Sequence, residues 1–414
     1  MLDLLREDYG EYVLGFFVIS LDMQLSEDIF QSGFTREDFA TFVHEYIHFL
    51  QNITTTYGVV YFNDNSKIIQ LFISESYKHD ERIPYPLIVD ESGVENVIEE
   101  MELRSFYYGN CEQKRIHHIN EVKVEKDEII ELVIPGGNLE SVNIYYDDKE
   151  YPYCFGAACI QESMAYLIES EKFYGIKRTN ELPYNSCELV CQKLCPDLEG
   201  RKDIIVALAE LSLMHYHSGK MFVELLEYIK VKEKKFKNTI EVAEYFKEKI
   251  PHLFDNYERA YRETKDSIDF LYPSETPFVS VNDWLNEMMI KGFHFRNEYC
   301  NLISRMMDFP TTYVKEYFEE LVKLFEMPAL SDKNCDIYSG NCDLSLALVP
   351  IAVYNEYMGK DKQCYLYEHC KKSKVSVFGD NCKNAPWLQS LQERLCPFGL
   401  FWSYYSLDGK SIEK

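Results

Sequence analysis

The chain has 414 residues, 46% of them hydrophobic and 15% aromatic, with only 18 glycines and 14 prolines; a sequence this apolar buries a large core, which excludes collagen-like, linker-like and broadly disordered chains. Its 43 basic and 69 acidic side chains leave a net charge of −26. A surface that negative repels phosphate backbones and anionic lipid, so neither nucleic acid nor a membrane is expected as a partner, and a basic partner or substrate is.

The chain starts Met1-Leu2-Asp3-Leu4-Leu5-Arg6-Glu7-Asp8, with acids where a secretory signal carries positive charge, and no later stretch approaches the roughly 18 apolar residues of a membrane span. A cytoplasmic protein is expected. Residues 12–21 are rich in β-branched and aromatic side chains and predict one buried strand. Thr35, with Asp38 three residues on, predicts a helix start, and Phe39, Phe42, Val43, Tyr46, Ile47 and Leu50 continue at helical spacing to about Thr54. A second helix is predicted near 65–79. From about 84 to 153 the pattern turns short and alternating, with strands at 121–125, 129–134 and 142–146 around Pro135-Gly136-Gly137, a hairpin or meander. Gly156-Ala157 opens a helix running to about Phe173, and further helices are predicted near 183–195, 201–231, 239–268, 281–306 and 310–327. The fold class that follows is α+β, predominantly α. It divides into a region 1–200 with a small β-sheet and a β-rich insertion at about 84–153, a helical region 201–330, and a Cys-rich C-terminal region 331–414.

The string Thr41-Phe42-Val43-His44-Glu45-Tyr46-Ile47-His48-Phe49-Leu50 places two histidines four apart on a predicted helix, so both rings leave the same face one turn apart and can grip one ion. Zinc takes nitrogen and oxygen ligands, and a catalytic zinc keeps three protein ligands and one water. Glu45, beside the first histidine, is the residue positioned to take a proton from that water. The segment, HExxH with uncharged Tyr46 and Ile47 inside it, Thr41 before it and apolar flanks, resembles the zincin superfamily of zinc metallopeptidases. The resemblance implies a zincin-like catalytic region, a Zn2+ cofactor, a protein or peptide substrate, His44 and His48 as ligands and Glu45 as general base. It covers about ten residues closely. The rival reading of the string is an amphipathic helix with two surface or core histidines.

The third ligand sets the subclass. A metzincin carries Gly and His where this chain has Gln51 and Thr54, which leaves the gluzincin arrangement, a glutamate from another helix. Ala158, Glu162, Ala165 and Glu169 share one face of the predicted 157–173 helix, where small neighbours let two helices approach; Glu162 is the leading ligand and Glu169 is placed to orient a ligating imidazole. The 113 residues between His48 and Glu162 exceed the usual gluzincin spacer, so Glu75 and His79, nearer the motif, stand as alternatives. For stabilising an oxyanion the sequence offers His215, His217, His294 and Arg296 without choosing among them.

Thirteen cysteines is an odd number, which favours free thiols or metal ligands over a disulfide framework. Cys187, Cys191 and Cys195 repeat every four residues and read as buried small hydrophobes. Cys364, Cys370, Cys382 and Cys396, with His369 beside the second, are separated by five, eleven and thirteen residues; ordinary buried thiols are expected, and a tetrahedral thiolate site only if the chain doubles back. The functional expectation is a zinc metallopeptidase of narrow specificity acting on one regulatory protein. A non-enzymatic helical interaction protein with a structural metal is the alternative, and hydrolysis of a non-peptide amide is a third reading of the same site.

Overall fold

The computed structural model describes residues 10–25, 33–84, 87, 103, 105–109, 116, 119–134, 137–147, 149, 151–175, 182–334, 337–338, 343–359, 363–372 and 378–413. It is an α+β protein, predominantly α, as expected. The single strand predicted over 12–21 is instead a hairpin, β1 (Gly10–Val13) and β2 (Val18–Leu21), with Val13 opposite Val18. The chain reverses over 14–17, where Gly15 takes φ 78°, a conformation without steric cost only for glycine. Leu14, Phe16 and Phe17 in this turn are themselves buried, so no polar cluster marks the reversal in the sequence.

Helix α1 (Arg36–Thr54) opens as predicted, on a capping box in which Asp38 N–H donates to Thr35 Oγ1 and Thr35 N–H to Asp38 Oδ2, each at 3.1 Å. Helix α2 (Thr56–Ser76) starts earlier than predicted because Thr55 caps it, accepting from Gly58 N–H at 3.1 Å. After β3 (Arg82–Ile83) comes the expected hairpin, β4 (Val122–Ile134) and β5 (Gly137–Tyr146), extended by β6 (Tyr153–Cys154). The two strand pieces predicted at 121–125 and 129–134 are one strand with a register shift between Ile129 and Val133; Pro135 and Gly136 lie outside the described residues. Helix α3 (Ala157–Lys172) and α4 (Ser186–Leu194) lie where expected.

The long helices predicted at 201–231 and 239–268 each break in two, into α5 (Lys202–Ser212) and α6 (Ser218–Lys232), and α7 (Thr239–Lys249) and α8 (His252–Leu271). Pro251 explains the second break, since it removes an N–H and bars Ile250 from helical geometry. Helices α9 (Val279–Glu298) and α10 (Thr311–Phe325) follow. The C-terminal region holds β7 (Ala329–Ser331), β8 (Ile337–Tyr338), α11 (Leu344–Ala347), α12 (Val349–Met358), α13 (Tyr367–Lys372), α14 (Asn381–Asn384), α15 (Pro397–Tyr404) and β9 (Ser411–Ile412). Its strands join the front of the chain: β7 runs parallel to β2 in a sheet ordered β1-β2-β7-β8, and β9 runs parallel to β3. Among the described residues no helix is long and apolar enough to cross a membrane.

All of this surrounds α1, which is buried at every position from Ala40 to Thr54 and packs on β1, α2, α3 and α9. Buried helix ends leave carbonyls that need donors. Four are supplied: Thr54 Oγ1 donates to the Leu50 carbonyl and Thr55 Oγ1 to that of Gln51, each at 2.6 Å, while Tyr257 OH and Arg296 Nε donate to those of Ile53 and Thr54, each at 2.7 Å. Arg296 is 1% exposed and also pairs with the buried Glu210, which accepts from the N–H groups of Ile303 and Ser304 at 2.8 Å. Removing one member of such a pair strands the other charge without water. Arg296→Met is therefore expected to destabilise the fold by about 3–5 kcal/mol in urea titrations, whereas Arg262→Met, which breaks the solvent-exposed pair with Glu258, should leave the transition midpoint nearly unmoved.

Candidate metal centre

Helical spacing sets His44 and His48 on the side of α1 that meets α3, their ring centroids 4.8 Å apart. Across this contact α3 presents Glu162, whose Oε2 lies 3.2 Å from His44 Nε2 and 3.7 Å from His48 Nε2. The three residues, 1%, 0% and 2% exposed, form the one group among the described residues whose ligand atoms all lie within 4.8 Å of one another, and they could hold a metal ion.

The neighbours decide where the protons sit. Glu169, two turns beyond Glu162 on α3, brings Oε2 to 3.0 Å from His44 Nδ1; a carboxylate only accepts, so Nδ1 carries the hydrogen. Gln51 donates Nε2–H to the Gln161 carbonyl at 3.1 Å, which leaves its Oε1 to accept from His48 Nδ1–H at 2.8 Å. With both Nδ1 atoms acting as donors, both Nε2 lone pairs point at the Glu162 carboxylate, and His48 Nε2 makes no hydrogen bond. Burial pushes the Glu162 carboxyl up, and protonated imidazoles at His48 and His44 hold it down, at about 2; with both Nε2 atoms bare, that positive charge has to come from another cation. Three electron-pair donors converging in a dry site repel one another unless a cation sits among them. The donor set, two imidazoles and a carboxylate with ordered outer partners, fits a divalent metal.

Glu45, the residue after His44, is also fully buried. Strand β1 runs directly over it: a Cβ added to Gly10 would lie 3.0 Å from Glu45 Oε1 and 2.9 Å from Thr41 Cγ2, so the approach requires glycine. Next in β1, Tyr12 stacks on His48 with centroids 6.3 Å apart and donates its hydroxyl to Asn52 Oδ1 at 2.9 Å. Asn52 Oδ1 also accepts from Gly15 N–H at 2.8 Å, and its Nδ2 donates to the Gly58 carbonyl at 2.7 Å. One α1 side chain thus ties the β1–β2 turn to α2 over the histidines. Tyr184 sets its edge against His44, 6.3 Å between centroids.

Glu162, and neither Glu75 nor His79, is what the structure brings to the two histidines; Glu75 instead pairs with Lys78 at 2.5 Å. Of the four residues considered for oxyanion stabilisation, Arg296 is held by Glu210 and the end of α1, His294 packs on Phe293, and His215 Nδ1 accepts from His217 N–H at 3.0 Å. The role of Gln51 was missed, although its position three residues after His48 on one helix is a readable signal. No local pattern marks Gly10, Tyr12 or Tyr184, which reach the site only through folding. No protein-family model, curated protein or solved structure matches the chain, so the chemistry of the site follows from its own atoms.

His217 has a structural task instead. It caps α6, accepting at Nδ1 from Lys220 N–H at 3.4 Å and donating Nε2–H to the Glu140 carbonyl at 2.6 Å. Burial pushes its pKa down from 6.5 to about 4. Because the unfolded chain binds the proton first, the stability tied to neutral His217 is complete above pH 6.5 and is lost as pH falls to about 4. Denaturant titrations across that window should show a loss on the order of 3 kcal/mol that His217→Gln reduces. For the cluster itself, His44→Ala and Glu162→Ala are each expected to remove the metal equivalent held there, and Gln51→Leu to weaken its binding about 10–100-fold by freeing the His48 ring. Competition against a chromophoric chelator reads all three.

Proposed function

We propose that the protein is a zinc-dependent hydrolase of the metallopeptidase type, with His44, His48 and Glu162 holding the zinc and Glu45 acting as general base. The observation that carries this reading is the convergence of two imidazole lone pairs and one carboxylate, with Glu45 on the residue that follows the first imidazole. When bound, zinc supplies Lewis acidity, polarising a substrate carbonyl and acidifying a water. The residues of the chain do the rest. Glu45 accepts the proton of the attacking water on its carboxylate and passes it to the leaving amine nitrogen. Glu169 and Gln51 keep both imidazoles in the tautomer whose Nε2 is unprotonated, so neither ring turns away between cycles. Burial keeps bulk water from competing for the base.

The substrate proposed is a protein or peptide with a basic segment, drawn by the net charge of −26, and cleaved in the cytoplasm, where the ten described cysteines persist as free thiols. The second reading, a metal that only holds α1 to α3 in a helical interaction protein, is favoured by how completely the cluster is buried, since structural sites are closed and catalytic ones open. Glu45→Gln separates the two. The hydrolase reading expects the variant to keep its metal equivalent and to lose at least about 100-fold in turnover of a basic peptide library. Parent and variant that behave alike in every peptidase assay, with a metal-dependent rise in melting that His44→Ala removes, would establish the structural reading.

A further inference from the structure

The four last cysteines stand apart from the His44 cluster and are used by nothing described so far. Cys364 precedes α13, Cys370 lies in α13, Cys382 in α14, and Cys396 stands at the start of α15. Although successive members are separated by five, eleven and thirteen residues, they line one small cleft, each 6–7% exposed and each a free thiol. The chain doubles back to bring them there: Cys364 N–H donates to the Cys382 carbonyl at 2.9 Å. Tyr367, Phe378 and Pro386 form apolar walls.

Buried thiols of ordinary packing do not need N–H donors, yet two of these have them. Cys396 Sγ accepts from Gly399 N–H at 3.3 Å and caps α15, and the N–H groups of Phe398 and Leu366 point at Cys396 and Cys364. Backbone donors and a helix N-terminus favour sulfur as thiolate. A cation among four sulfurs that line one cleft converts the mutual repulsion of thiolates into shared coordination. The sulfurs are gathered less tightly than the ligand atoms of the His44 cluster.

We propose that Cys364, Cys370, Cys382 and Cys396 form a second metal centre, a tetrathiolate site for one zinc ion that fastens the C-terminal region. The ion is structural, since four protein ligands leave no open position. It stabilises a stretch whose helices, α13 and α14, are too short to stand on their own hydrogen bonds.

The test uses the full chain carrying His44→Ala and His48→Ala, so that its outcome does not depend on the hydrolase reading. After expression with zinc and gel filtration, elemental analysis is expected to find one zinc equivalent per chain, lost when Cys382→Ser and Cys396→Ser are added. Should these variants fail to fold, cobalt loading of the unsubstituted chain decides: sulfur-to-cobalt charge-transfer bands are expected, and imidazole and carboxylate ligands cannot produce them. A folded His-substituted chain without zinc and a cobalt form without thiolate bands would overturn the proposal. So would an iron–sulfur absorption spectrum, or disulfides among these four cysteines in non-reducing peptide maps.

Discussion

A helix buried on all sides can carry polar side chains only if each finds a partner, and that constraint shapes the protein around α1. Its histidines meet the demand in a particular way. Each gives its Nδ1–H to a neighbour, Glu169 or Gln51, and each is left with a lone pair aimed at the same carboxylate. The arrangement is over-supplied with electron pairs, which is a cost in a core without water unless positive charge is present. A metal ion is the simplest source of that charge, and the outer partners are what hold the rings ready for it.

The rest of the architecture follows from enclosing such a helix. Helix α3 comes close enough for its carboxylate to reach the rings, with the small, buried Ala165 on the face of Glu162. Strand β1 must lie flat over Glu45, which Gly10 permits. The C-terminal carbonyls of α1 are met by Tyr257 and Arg296 from helices far along the chain. The long segment between His48 and Glu162 holds α2 and the hairpin of β4 and β5, and it separates the two halves of the cluster in sequence without parting them in space.

The two proposed metal centres are both buried and differ in ligand number. The His44 cluster brings three ligand side chains together, one short of a tetrahedron. At the cysteines the proposed ion takes four like ligands, so it holds structure and leaves no open position. The C-terminal region, whose elements are short, joins the front of the chain through β7 on β2 and β9 on β3.

Local pattern carried a good deal of this. The capping box at Thr35 and Asp38, the four-residue spacing of His44 and His48, the small-residue face around Glu162 and the alternation of the 121–146 hairpin are all written in neighbouring residues, because helix and strand geometry map short sequence intervals onto faces. The β1–β2 turn was hidden because its residues are apolar, and Pro251 divided what periodicity joined. Choosing Glu162 over Glu75 or His79, placing Tyr12, Gly10 and Tyr184 around the site, tying His217 and Arg296 to structural duties, and drawing four distant cysteines to one cleft were decided only by tertiary packing. Those contacts join residues tens to hundreds of positions apart, and what selects them is the pairing of buried polar groups, which no local interval records.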